Sequence, residues 1–214
     1  MGGRSYMLAT RMPMSRDGFD TWLSTPLPDL GVLANPDQMW RGWAADDVTP
    51  DWELTAIADS PAAVATYRAN RTRTPLELLT ARAAAGFTLA RHHRDALEIY
   101  LYDYHADHYG AQTDLLMLAG AGRFADGGAE VPVLYWGGDV YPGLPSDDGS
   151  VLSVLLVGRT AARFTAAYPF AALVEGLRPV EEAFLGAVVD RDGDDPGWDA
   201  TDVLDPAVAA RVRR

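Results

Sequence analysis

The sequence predicts a single α+β domain, with a mixed or mainly antiparallel sheet of about five to seven strands packed with helices. Its 214 residues, 48% of them apolar, are enough to bury a substantial hydrophobic core. About seven segments have the alternation or short apolar runs of strands, and about five have helical periodicity. These segments follow one another irregularly, whereas a doubly wound sheet would require regular strand–helix alternation.

The first predicted elements are a strand and a capped helix. Residues 6–10 are predicted to form the strand. Ser15 is placed to cap a short helix, whose shared apolar face is formed by Phe19, Trp22 and Leu23. Residues 26–50 contain four prolines, so we expect irregular structure there.

A second pair of elements follows this irregular segment. Residues 52–58 alternate like a strand, and Ser60-Pro61 has the composition of a helix start. Thr74 and Glu77 have the spacing of a capping box, and Gly86 suits the end of the helix that they begin.

The second half of the chain supplies most of the predicted strands. Residues 97–105 alternate most regularly, and residues 151–157 form a nearly continuous apolar run that is expected near the centre of the sheet. Residues 113–119 fit a strand or a helix. The remaining predictions are strands at 87–90 and 131–136, a helix at 179–189 and a short final helix from Asp205-Pro206.

Residues 1–189 are predicted to form the domain itself. Seven Asp and one Arg lie between Asp190 and Asp205, and such a density of like charge favours a solvated loop. We therefore expect residues 190–214 to be an acidic loop with a short C-terminal helix, either packed on the domain or mobile.

The composition excludes several classes of chemistry. The chain has no cysteine, which excludes disulfides, thiolate catalysis and cysteine-based metal sites. All 18 basic residues are arginine, as is typical of a GC-rich bacterial genome, so lysine-dependent Schiff-base and P-loop chemistry is also excluded. With 30 acidic residues the net charge is −12, which argues against a nucleic acid or a membrane as partner and favours a basic protein. No export signal or long apolar run is visible, so a cytoplasmic location is expected.

The densest set of metal-ligating side chains lies in the His92–His108 region, where Asp103, His105, Asp107 and His108 fall within six residues. Imidazole and carboxylate are natural ligands of zinc, iron and manganese. On a strand, the first three would share a face, and a turn could bring His108 beside them. No cofactor is predicted outright, but a divalent metal could bind here. The alternative is a strand end entering a polar surface loop, since no zincin spacing is present.

A second group of carboxylates resembles the start of a calcium loop. Asp190, Asp192 and Asp194 match the first three ligand positions of the EF-hand pattern. The pattern then fails, because Asp195 replaces the glycine and Thr201 replaces the bidentate glutamate. A solvated acidic loop is the alternative interpretation.

Aromatic side chains offer a third candidate site, a protein-binding surface. Trp and Tyr often anchor protein contacts, although burial beneath the chain's own helices is their ordinary use. The candidate partner-binding residues are Trp40, Trp43, Trp52, Tyr100, Tyr102 and Tyr104.

These observations favour a non-enzymatic, acidic protein-interaction domain, for example a bacterial immunity or antitoxin-type inhibitor of a basic protein toxin. Neither a G-x-S-x-G elbow nor a G-x-G-x-x-G loop is present. The alternatives are a small metal-dependent enzyme using the His92–His108 region and a calcium-binding domain using the Asp190–Asp195 loop. Convergence of all four histidines on one polar pocket would favour an enzyme. The sequence names neither the partner nor the oligomeric state.

Overall fold

A computed structural model of the chain describes residues 4–35, 69–85, 87–106, 108–138, 151–165, 167–192 and 203–212. The backbone alone is described at several ends of strands and helices, including 103–106, 108–112 and 188–192. The predicted strand at 52–58 and the helix predicted to begin at Ser60 lie outside these residues.

Six antiparallel strands form one sheet, which confirms the predicted α+β class. The strands are β1 (Arg4–Pro13), β2 (Phe87–His92), β3 (Ala96–Ala106), β4 (Val131–Gly138), β5 (Val151–Val157) and β6 (Ala162–Thr165). Their spatial order is β2-β3-β1-β4-β5-β6, so β5 is an interior strand beside the edge strand β6.

The strand register separates the side chains into two faces. On the first face Leu8 of β1 lies between Leu101 of β3 and Tyr135 of β4. On the second face Ala9 lies between Tyr100 and Leu134. All six of these side chains are buried, so both faces of the central strands are covered.

Five α-helices with both ends in the described part of the chain surround the sheet. They are α1 (Arg16–Ser24), α2 (Pro75–Ala85), α3 (His108–Ala121), α4 (Phe170–Asp192) and α5 (Pro206–Val212). On the first face, the Trp22 indole of α1 donates to the Met117 carbonyl of α3 at 3.3 Å. On the second face, the Phe184 ring of α4 stacks on Tyr100 with the ring centroids 4.2 Å apart. None of the helices in the described segments has the length and the apolar run needed to cross a bilayer.

The local cap signals predicted from the sequence are present. Ser15 accepts a hydrogen bond from the Gly18 N–H and begins α1, whose Phe19, Trp22 and Leu23 are all buried. At α2 the Thr74 N–H donates to the Glu77 carboxylate at 2.8 Å, and the Glu77 N–H donates back to Thr74. The bonds that the Thr74 N–H and the Thr74 hydroxyl donate to the Glu77 carboxylate lower the pKa of Glu77, since they stabilise its ionised form.

The structure decides one element that the sequence left open and differs from the expectation at another. Residues 113–119, which fitted a strand or a helix, belong to α3. The helix expected to begin at Pro179 begins at Phe170, and Pro179 lies within it. Because Pro179 is exposed, water can satisfy the carbonyl that loses its helical donor, so the proline does not end the helix.

Short segments cover both edges of the sheet. Beside β2, Ala90 exchanges two backbone hydrogen bonds of 2.7 Å with Val203 and Asp205. Beside β6, the Asn35 side chain bonds both the N–H and the carbonyl of Phe164, as a neighbouring strand would. Covered edges protect a sheet from pairing with other chains.

The β2–β3 hairpin closes with two residues in the left-handed region. His93 and Ala96 exchange backbone bonds across the turn, and the central residues Arg94 and Asp95 have φ values of 48° and 54°. This geometry suits Asn-Gly, so the two L-residues strain the turn.

We expect Asp95→Gly to stabilise the protein by about 0.5–1 kcal/mol, because glycine adopts positive φ without steric cost. The matched control is Gly127→Ala. Gly127 has φ of 82° and no neighbouring atom within 4 Å of an added Cβ, so the variant should lose about 1 kcal/mol of stability through backbone strain alone. Urea unfolding midpoints check both values, and destabilisation by Asp95→Gly would contradict the assigned turn.

Candidate functional site

The four histidines do not converge. His92 and His93 lie at the hairpin end of β2, with His92 opposite Leu97. His105 lies near the other end of β3, about 26 Å further along the strand, and His108 begins α3. The arrangement that would have favoured an enzyme built from all four imidazoles is therefore not present.

The predicted metal ligands lie at the far end of β3. Asp103 and His105 belong to β3, His108 is the first residue of α3, and Asp107 lies outside the described residues. The register between β1 and β3 shifts here: Tyr6 pairs with Asp103, but Arg4 pairs with Ala106. This irregularity interrupts the two-residue repeat on which the shared-face hypothesis depended. Within the described residues no group of three or more His, Asp or Glu side chains is placed to hold a metal, and the hypothesis stays a prediction.

The predicted calcium ligands begin inside a helix. Asp190 and Asp192 belong to the last turn of α4, and Asp194 lies outside the described residues. The acidic loop expected from residue 190 therefore starts no earlier than residue 193, and calcium binding stays a prediction.

The predicted partner-binding aromatics are only partly placed. Trp40, Trp43 and Trp52 lie outside the described residues, and Tyr104 is described by its backbone alone. Tyr102 is half-buried, whereas Tyr100 is 6% exposed beneath Phe184 of α4. The Tyr100 ring is therefore used within the fold, in the way that is ordinary for aromatics.

A buried polar cluster lies at the end of the sheet where β1 begins. The Tyr6 hydroxyl of β1 donates to the Asp114 carboxylate of α3 at 2.6 Å, and the Arg82 Nε of α2 lies 3.1 Å from the same oxygen. Asp114 is fully buried, so its charge is compensated by neighbours rather than by water. Next to it, Thr113 accepts a hydrogen bond from Asn70 at 3.2 Å. Asp103 and His105 lie at this same end, as do the last residues of β4 and the first of β5.

A second buried carboxylate lies near the hairpin end, on the other face. Glu98 of β3 is 4% exposed and accepts from Arg91 Nε at 3.0 Å and from Arg11 Nε at 3.3 Å. His93 Nδ1 lies 3.3 Å from the same carboxylate. On the first face, His92 Nε2 lies 2.8 Å from the Met14 carbonyl. Both hairpin histidines are thus engaged in contacts that fix the hairpin.

A third buried carboxylate attaches the C-terminal segment. Asp205 is 2% exposed, caps α5 through the Ala207 N–H, and accepts from Arg16 Nη1 at 2.5 Å. The hydrogen bond to Asp205 and a second one to Asp20 raise the pKa of Arg16 above its ordinary value. The short C-terminal helix is therefore packed against α1 and α2 rather than detached.

None of these three carboxylates is among the site residues predicted from the sequence. A recognisable signal was present, because Glu98 interrupts the apolar alternation of β3 and Asp114 precedes the apolar run 115–119. An acid inside an apolar run is expected to find a cation when it is buried. The sequence does not reveal which arginine that will be.

The negative charge is concentrated outside the described body. The described residues carry 14 Arg and 16 Asp or Glu, a net charge of −2, which leaves −10 on the rest of the chain. Residues 36–68, 139–150 and 193–202 carry net charges of −4, −3 and −4. A nearly neutral body is thus connected by three acidic segments.

Comparisons with known proteins add no assignment. No family model, no curated protein and no solved structure matches the chain.

A buried hydroxyl without a partner gives a test of the packing. Ser153 of β5 is fully buried, and its Oγ has no hydrogen-bond partner. We expect Ser153→Ala to stabilise the protein by about 1 kcal/mol, because it removes an unpaired polar group. The matched control is Thr10→Val, since the buried Thr10 hydroxyl donates to the Pro132 carbonyl at 2.8 Å and its loss should cost about 1 kcal/mol. Chemical denaturation measures both, and a loss of stability in Ser153→Ala would indicate a bound internal water.

Burial raises the pKa of Tyr100 from 10 to about 12, with a smaller contribution from Glu181. The raised pKa implies stability that is complete below pH 10 and is lost as pH rises from 10 to 12, by at most about 3 kcal/mol. Difference absorbance should show a late-titrating tyrosine that is absent in Tyr100→Phe, and this variant should also resist alkaline unfolding better. Identical alkaline unfolding of the two proteins would contradict burial of Tyr100 under α4.

Proposed function

We propose that the chain is a non-enzymatic, cytoplasmic protein-interaction domain of the bacterial immunity or antitoxin type, which binds and inhibits a basic protein. The observation that carries the proposal is the separation of charge: a nearly neutral body against three acidic connecting segments. Acidic segments of this kind attract a basic partner and accelerate encounter. Connections held by a rigid scaffold are also common sites of binding.

The contacts of the body support a scaffolding role. Glu98, Asp114 and Asp205 are the buried acids of the described residues, and each is bound to at least one arginine of another element. Groups used in this way hold the fold together and are not free for general acid or base chemistry. Trp40, Trp43 and Trp52 lie within the acidic segment 36–68, a composition that suits a protein contact.

In the first test the purified chain is immobilised and exposed to host lysate. Mass spectrometry then identifies the proteins that it retains in a one-to-one ratio. A retained protein should be basic, and its toxic or enzymatic activity should fall on adding the chain. No stoichiometric partner, or a partner without net positive charge, would contradict the proposal. Metal analysis of the same preparation tests the alternative enzyme, which requires bound metal that is lost on His105→Ala and His108→Ala.

Charge-neutral variants then test the acidic segments. We expect a loss of affinity of at least about tenfold when three Asp of 139–150, or four Asp of 193–202, are replaced by Asn. The matched control replaces three exposed, unpaired Asp of the described body, which should change affinity less than about threefold. The variants are D139N/D147N/D148N and D194N/D195N/D199N/D202N, with D17N/D95N/D126N as control. Equal effects of control and test variants would contradict the role of the segments.

A further inference from the structure

The outer side of α4 carries an exposed apolar pair. Val174 is 42% exposed and Leu185 is 50% exposed, the only large apolar side chains exposed to this extent among the described residues. They are separated by eleven residues, which is three helical turns, so they lie on one face about 16 Å apart. They are the large apolar side chains that this face of α4 leaves exposed to water.

Charged side chains lie between the two apolar ones. Arg178 lies one turn after Val174, and Glu181 lies one turn before Leu185. Arg178 is exposed and binds Glu175 at 2.9 Å. Glu182 is exposed beside Glu181, so the centre of this face carries one arginine and a pair of acids.

We propose that this face of α4 pairs antiparallel with α4 of a second copy of the chain. A twofold axis between Pro179 and Val180 places Val174 opposite Leu185 of the partner subunit. The same axis places Arg178 opposite Glu181 of the partner subunit. The apolar and the charged pairs are thus matched by a single symmetry operation.

The charge pattern favours a second copy of the chain as the partner and an antiparallel orientation of the two helices. A parallel pairing would place Arg178 against Arg178 of the partner subunit, whereas the antiparallel one places it against acids. A basic helix would satisfy the glutamates but would oppose Arg178. The inference does not rest on the proposed inhibitor function, since α4 belongs to the described body.

The contact area implies a weak dimer. One helix face of this length buries much less than the roughly 800 Å² per partner of a stable complex. The net charge of −12 on each chain also opposes association. We therefore expect self-association at chain concentrations on the order of 0.1–1 mM.

Sedimentation equilibrium at 0.02–1 mM, in 0.15 M salt, tests the pairing with the full chain. Leu185→Glu should lower the association constant at least about tenfold, since it places a charge in the apolar contact. The control is Ala172→Glu, which adds the same charge at an exposed position on the other side of α4. A wild-type chain that is monomeric at 1 mM, or equal loss in both variants, would overturn the proposal.

A charge exchange distinguishes direct pairing from altered folding. Arg178→Glu and Glu181→Arg should each weaken association, and the double variant R178E/E181R should recover it to within about threefold of wild type. Far-UV circular dichroism and thermal midpoints must remain unchanged in all four proteins. Failure of the double variant to recover, with the fold intact, would overturn the antiparallel register.

Discussion

Burial of a carboxylate costs several kcal/mol unless a cation and hydrogen bonds compensate it, and the described residues include three such carboxylates. Glu98 joins β3 to β1 and β2, Asp114 joins α3 to α2 and β1, and Asp205 joins the C-terminal segment to α1. Apart from Glu98 with Arg91, which lie in one hairpin, these pairs connect elements that are distant in sequence. The pairs therefore favour the arrangement in which each buried carboxylate lies beside its arginine, since burial of the charge without that partner is costly.

This constraint determines how the polar residues are interpreted. Arg91 and His93 belong to a region that carries a local excess of arginine in the sequence. In the structure they surround Glu98 instead of forming an open cationic surface. Tyr6 and Arg82 likewise converge on Asp114. These polar groups thus hold elements together, and most of the net negative charge of the chain lies in the segments that connect the described elements.

The sequence predicted what depends on neighbouring residues and missed what depends on distant ones. Ser15 and the Thr74–Glu77 pair were identified because a cap is formed within one helical turn. The strands around Leu8, Leu97 and Val154 were identified because burial on both faces requires apolar runs or alternation. The start of α4 at Phe170 was missed, since proline is a strong local signal for a helix start and only the tertiary setting shows that it is tolerated mid-helix.

The candidate sites show the same division. Tyr100 was open to a partner or to burial by the chain itself, and its stacking on Phe184, 84 residues away, could not be derived from β3. The irregular register at the end of β3 depends on its pairing with β1, so the alternation of Asp103 and His105 did not reveal it. By contrast, the acidity of 36–68, 139–150 and 193–202 is a property of composition and was visible from the start.

The proposed inhibitor function depends on long-range attraction between those acidic segments and a basic protein. The most direct measurement is the association rate constant of the chain with its captured partner, followed by stopped flow from 0.02 to 0.5 M salt. Attraction of this origin predicts a fall of at least about tenfold over that range, with a much smaller change in the dissociation rate. An association rate constant that is independent of salt would contradict it.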